Sequence, residues 1–223
     1  ADASGFFNVL TGYSDPPVWN KIAVAPLGLR DKILEHIRQE IAFAKAGKPA
    51  RIIAKMNSLV DKEIIASLYE ASSAGVTVDL IIRGICTLRP GIAGVSSRIT
   101  VRSIVGRFLE HSRILYFSGG GEEKFYLSSA DWMPRNLNNR VEILFPIESP
   151  EHRKRVFDLL ELLLSDNQKS HEMKSTGVYR HRKFSGKLKI SAQNELLRQA
   201  KENALTLSPP VWQTQPSIPL IEK

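Results

Sequence analysis

The residues best suited to chemistry are crowded between Arg107 and Glu142. His111 and Arg113 stand two positions apart, and Ser128, Ser129, Asp131, Arg135, Asn136, Arg140 and Glu142 follow. Side chains at i and i+2 of a strand point to the same face, so a strand beginning here presents an imidazole beside a guanidinium. A loop after the neighbouring strand can bring Ser129, Asp131 and Asn136 to the same edge, adding a hydroxyl and an amide. That combination suits phosphoryl transfer. The transition state spreads charge over its equatorial oxygens, and forked donors stabilise it. An imidazole can attack phosphorus or protonate a leaving oxygen, and a carboxylate such as Glu142 could orient its other nitrogen.

Each residue also has a plainer reading. A lone histidine is more often a partly buried structural group, and it is the surrounding cluster that lifts His111 above that. Arg83 and Arg140, taken singly, read as strand-end charges paired with an acid, Glu142 in the case of Arg140. The Gly119–Gly121 run sits between two strands, so it is expected to be a hairpin turn and not a phosphate cradle. Cys86 has no second cysteine and no ligand spacing, and no metal site is expected in the chain.

The elements that must position this cluster follow from periodicity. Residues 18–27 could form a short strand. Residues 29–47 have helical spacing, with Leu29, Ile33, Ile37, Ile41 and Ala44 on one face. Residues 51–57 are β-branched and short, hence a strand; Asp61 caps a helix over 62–74; residues 76–83 are the next strand. Strand, helix and strand with short links imply a parallel crossover. Residues 84–94 form a loop. Further strands are expected at 98–105, 113–118 and 124–130, with a last one at 141–147. Ser149 and Pro150 open a helix through Ser165, heavily buried along Leu159–Leu164. After Asp166 a segment rich in Lys and Arg lacks apolar periodicity. A short helix is expected at 193–205, and residues 208–223, with four prolines, read as a mobile tail.

The 223 residues are 43% hydrophobic and 24% charged, as in an ordinary globular protein. No apolar run reaches the ~20 residues needed to span a bilayer, and no secretory signal opens the sequence. One cysteine excludes an internal disulfide framework and fits a reducing compartment. The formal net charge of +8 favours a polyanionic partner.

Several longer stretches are more specific. Residues 57–61 (NSLVD), 68–76 (LYEASSAGV), 82–86 (IRGIC), 103–113 (SIVGRFLEHSR) and 126–137 (YLSSADWMPRNL) resemble the long-form bacterial polyphosphate kinases, and the resemblance runs from about Phe6 to Lys183. It implies an α/β fold of phospholipase-D-like type, a mixed sheet with helices on both faces, followed by a basic C-terminal extension. It divides the chain into 1–18, the end of a preceding phospholipase-D-like domain or a linker; 19–186, a second such catalytic domain; and 187–223, a C-terminal helix and proline-rich tail. It implies reversible transfer of the terminal phosphate of ATP to inorganic polyphosphate through a phosphohistidine, with Mg2+ accompanying the nucleotide. His111, in the word Leu109–Arg113, corresponds to the family's second catalytic histidine. Arg83 and Arg140 correspond to its phosphate-binding arginines, and Arg113 replaces the lysine of the phospholipase-D pattern.

The phosphorylated histidine of the family, in a word like Ile-His-Ala-Lys, has no counterpart here, nor has the tyrosine that stacks on adenine. The chain is therefore expected to carry half of a composite site and to be inactive alone. Its expected partners are ATP or ADP, polyphosphate and the remaining domains of the same enzyme, as a homo-oligomer in the cytoplasm or at the inner face of the membrane, with no specific nucleic acid. Two other readings remain open: a dimeric phospholipase-D-type phosphodiesterase or nuclease, and a polyanion-binding module driven by the basic residues 169–189.

Overall fold

The structure, a computed structural model, describes residues 2–15, 17–181 and 188–206. Among the described residues nine strands form one mixed sheet in the order β1-β7-β6-β5-β2-β3-β4-β8-β9. In chain order these are β1 (Ala23–Ala25), β2 (Arg51–Met56), β3 (Thr77–Ile82), β4 (Ile99–Ile104), β5 (Arg113–Phe117), β6 (Lys124–Ser128), β7 (Glu142–Pro146), β8 (Ser170–Met173) and β9 (Tyr179–His181). Strands β2, β3 and β4 run parallel, and every other pairing is antiparallel. The helices are α1 (Asp2–Leu10), α2 (Leu29–Lys45), α3 (Lys62–Ser73), α4 (Pro134–Asn139), α5 (Pro150–Ser165) and α6 (Ala192–Thr206).

Alternation along the central strands sorts side chains between two cores. Ile52, Ala54 and Met56 of β2 join Val78, Leu80 and Ile82 of β3 under α2 and α3. Ile53 and Ile81 point the other way, into a core closed by Leu160, Leu163 and Leu164 of α5 and Ala192 of α6. The sheet is thus covered on both faces, and β2 and β3 read as near-continuous apolar runs for that reason. The helix under the first core starts as its sequence requires: the Asp61 carboxylate accepts from the Ile64 amide at 3.1 Å. Ser149 occupies the corresponding place before α5, but its hydroxyl makes no capping bond.

Between β5 and β6 the glycines form a 3₁₀ turn, which closes the expected hairpin. Gly120 has φ of +65°, and a Cβ there would lie 2.7 Å from the Phe43 ring, so the turn needs glycine twice over.

The structure departs from the sequence reading or adds to it at three places. Residues 141–147 do not hold the last strand: β8 adds to β4, and β9 to β8, within the basic segment that lacks apolar periodicity. Asp2–Leu10 is helical, tied down by the Asp2 carboxylate, which accepts from the amides of Asn20, Lys21 and Ile22. The short strand expected over 18–27 shrinks to three residues, and Val18 is exposed. The proposed tail at 208–223 lies outside the described residues, as do residues 182–187 of the basic segment. The described helices include none long and apolar enough to cross a membrane.

Candidate active site

The register of the sheet brings the chemical residues to one edge. Parallel β2 and β3 end there, just before Asn57 and Arg83. Antiparallel β5 begins there at Arg113, opposite Ser128 at the end of β6, which in turn faces Leu144 near the start of β7. The carboxyl edge of a parallel strand set, where loops fan out, is where α/β sheets hold ligands.

A continuous hydrogen-bonded chain runs along this edge. Arg83 donates through Nε at 3.2 Å and Nη2 at 3.0 Å to the Asn57 side-chain oxygen. The Asn57 backbone N–H donates to Asp131 Oδ1 at 2.8 Å. Arg113 grips Asp131 with both arms of its fork, Nε to Oδ1 at 3.2 Å and Nη2 to Oδ2 at 3.1 Å. Its remaining Nη1 lies 2.9 Å from both Nδ1 and the carbonyl of His111. A guanidinium can only donate, so Nδ1 accepts and the ring carries its proton on Nε2. His111 itself is exposed and lines a cleft of about 490 Å³ with Phe108, Ser112 and Leu196.

The pair that fixes the ring is buried: Arg113 is 9% and Asp131 5% exposed. Burial alone would raise the Asp131 carboxyl, but hydrogen bonds from Arg113 and the Asn57 amide, with the Arg113 charge, outweigh it and hold the group below its ordinary value. Trp132, 1% exposed, anchors the next residue: its amide donates to the Ser58 carbonyl, and its carbonyl accepts from Val60 and Asp61.

A second cluster stands beside the first. Glu142 meets the Ser129 hydroxyl in a short contact and accepts from Asn136 Nδ2 at 2.6 Å. Glu142 is therefore occupied with Ser129 and Asn136, and the imidazole partner expected of it is Arg113 instead. Arg140, exposed after α4, makes no hydrogen bond or ion pair among the described residues. The expected Arg140–Glu142 pairing does not form.

Two residues that sequence reasoning passed over belong to this edge. Lys55, 4% exposed on β2, donates to the Ser112 carbonyl at 3.2 Å and hydroxyl at 3.0 Å and pairs with Glu110 at 3.3 Å. Burial pushes its ammonium below its ordinary value; Glu110 opposes that, and the charges of Arg83 and Arg113 add to it. A lysine in the otherwise apolar run 52–56 was the available signal. Asn57, hidden inside a family-like word, is the hinge between Arg83 and Asp131.

The acidic groups here already have partners: Asp131 has Arg113, Glu110 has Lys55, and Glu142 has Ser129 and Asn136. Among the described residues no group of three His, Cys, Asp or Glu side chains could hold a metal ion. Burial pushes the Cys86 thiol up to about 11, which keeps it from acting as a thiolate.

Residues 22–193 match the family model described as polyphosphate kinase C-terminal domain 2. The chain belongs to that family. A polyphosphate kinase of Thermosynechococcus vestitus is 53% identical over 182 residues, covering 82% of this chain and 25% of that protein. The crystal structure of polyphosphate kinase from Porphyromonas gingivalis superposes with a TM-score of 0.87 at 39% identity, over 92% of this chain and 32% of that one. A phospholipase D family member, Nuc from Salmonella typhimurium, superposes with a TM-score of 0.51 at 14% identity, over 70% of this chain and 97% of its own. This last likeness is one of fold, and it gives the domain its phospholipase-D-like architecture. The chain spans about a quarter of the length of the curated polyphosphate kinases it matches.

Proposed function

We propose that this chain supplies the second histidine-bearing half of a polyphosphate kinase site, which moves the terminal phosphoryl group of ATP reversibly onto inorganic polyphosphate. The observation that carries this is His111 held by Nδ1 on Arg113, at an edge where Lys55 and Arg83 gather positive charge. The phosphoryl group passes first to a histidine outside this chain, releasing ADP, and then to a terminal oxygen of the polymer. His111 does not carry the phosphate. Its Nε2–H donates a hydrogen bond to an oxygen of the group in flight, an electrostatic role that needs a fixed ring.

Arg83 and Arg140 meet the phosphates of nucleotide or polymer, and Ser129 and Asn136 shape the neighbouring wall through Glu142. Arg113 works indirectly, since its fork is closed on Asp131. Magnesium arrives on the nucleotide phosphates, because the carboxylates of this edge are already committed to cations and amides. The remaining domains of the enzyme complete the site, in a homo-oligomer working in the cytoplasm.

The test is a chimera in which this chain replaces the matching quarter of the Thermosynechococcus vestitus enzyme. It should form polyphosphate from ATP, and this chain alone should not. A folded chimera that transfers no phosphate, beside an active parent, rejects the reading.

A further inference from the structure

The loop that carries His111, residues 105–112, has no regular secondary structure, and Val105, Gly106, Arg107, Phe108 and Leu109 are all exposed. Little apolar packing holds it. Such segments open at low free energy unless hydrogen bonds tie them down. The ties come from two distant elements.

On one side stands Gln193, 6% exposed at the first turn of α6. Its amide clasps the Phe108 backbone in both directions: the Phe108 amide donates to Oε1 at 3.0 Å, and Nε2 donates to the Phe108 carbonyl at 2.9 Å. Nε2 also reaches Glu110 Oε1 at 2.9 Å. The other oxygen of Glu110 pairs with Lys55, whose ammonium holds Ser112 by its carbonyl and hydroxyl. The residues on both sides of His111 are thus fixed by one relay from α6 to β2.

Two further observations show that the clasp is built in. A Cβ at Gly106 would lie 2.3 Å from Gln193 Oε1 and 2.7 Å from its Cδ, so only glycine admits the amide there. The start of α6 is itself anchored: Asp166, fully buried, accepts from the Ala192 amide at 2.8 Å through one oxygen, and from Gln168, Lys169 and Ser170 through the other.

We infer that Gln193 is a positioning residue for His111, acting through Phe108, Glu110 and Lys55, and that α6 braces the histidine loop. The inference deepens the proposed function and rests on it for its kinetic consequence, but not for its structural one. Removing the amide deletes three hydrogen bonds that hold the loop. The loop then moves freely enough for the ring to leave Arg113.

Two variants test this. Gln193→Ala removes the clasp. Gly106→Ala displaces the flexible end of Gln193 from the surface side and leaves the core alone, so it carries the test if the first variant is unstable. In this chain, nitrogen NMR of the His111 ring above its titration range should give a single tautomer, protonated on Nε2. Both variants should show averaged tautomers, with thermal midpoints near the parent's. Gly106→Ala added to Gln193→Ala should change nothing further. In the active chimera either variant should lower kcat roughly tenfold with KM for ATP within about twofold, as expected for lost orientation. Unchanged ring nitrogens in a folded variant, or an unchanged kcat in the active chimera, overturns the inference. If the unaltered chimera is inactive, the functional reading falls while the ring nitrogens still decide the positioning role.

Discussion

Two histidines in this molecule are chemically identical and could hardly be used more differently. His36 lies on α2, 3% exposed, with its ring centroid 4.9 Å from those of both Phe117 and Tyr126. Its Nδ1 meets Gln39 at 3.3 Å, and its Nε2 is buried without a partner among the described residues. Burial first, and then the charges of Lys32 and Lys124, pull its pKa down to about 4. His111 is exposed on a loop, with one nitrogen fixed by a buried arginine and the other turned to no protein partner among the described residues. The core histidine is an aromatic filler that resists protonation. The edge histidine is held in one orientation where a ligand can reach it. What separates them is the company each nitrogen keeps, and that can be tested from both sides.

The largest effect should fall on turnover and belong to His111 alone. His111→Ala in the active chimera should cost ~10²–10⁴-fold in kcat, the usual range for losing one positioned polar group in a transfer step. Its thermal midpoint should stay near the parent's, because the ring is exposed. His36→Leu should do the reverse, leaving kcat within about twofold. A His111→Ala enzyme with parental turnover would erase the distinction.

The next effect concerns pH and belongs to His36. Its pKa is near 6.5 when unfolded and about 4 when folded, so between those values the unfolded chain binds more protons. The contribution is present in full above pH 6.5 and is lost as pH falls toward 4. Over that window it amounts to about 3 kcal/mol at 1.36 kcal/mol per unit. Carboxylates titrate in the same range, so the decisive quantity is a difference. The fall in unfolding free energy from pH 6.5 to 4, measured with urea, should be smaller in His36→Leu than in the parent by a few kcal/mol. Equal slopes would mean that His36 is protonated in the folded state.

The sequence revealed much of the frame behind this contrast. Apolar periodicity found α2, α3 and α5 and the strands β2 to β7, because each buries a face whose spacing the residues record. It missed β8 and β9 because Ser170–Met173 and Tyr179–His181 join the sheet at its edge through backbone bonds, with no apolar alternation to betray them. At the site, the i, i+2 spacing was read as two side chains on one strand; the two do meet at 2.9 Å, but β5 begins only at Arg113 and His111 sits on the loop before it. The partner of each side chain was less legible. Glu142 was expected to serve the imidazole and serves Ser129 and Asn136 instead. Gln193 reaches Glu110 across 83 residues of sequence, a contact that only the packing of α6 creates.

The smallest effect sharpens the comparison at Arg83, the far end of the chain of bonds that reaches His111. Its Nε and Nη2 are committed to Asn57, while Nη1 makes no hydrogen bond among the described residues. The guanidinium can therefore meet an anion through Nη1 without giving up its place. Arg83→Ala should weaken ADP or polyphosphate binding roughly tenfold and lower the slope of log affinity against log salt for polyphosphate by about one, the share of a single phosphate contact. The buried Arg113–Asp131 pair should be untouched, so the His111 ring should keep its tautomer. If the slope is unchanged, Arg83 only braces Asn57, and the proposed anion contacts of this edge narrow to the exposed Arg140. If instead the tautomer is lost along with the affinity, the hydrogen-bonded chain from Arg83 through Asn57 and Asp131 transmits strain, and the histidine's fixity depends on the whole edge and not on its nearest neighbour.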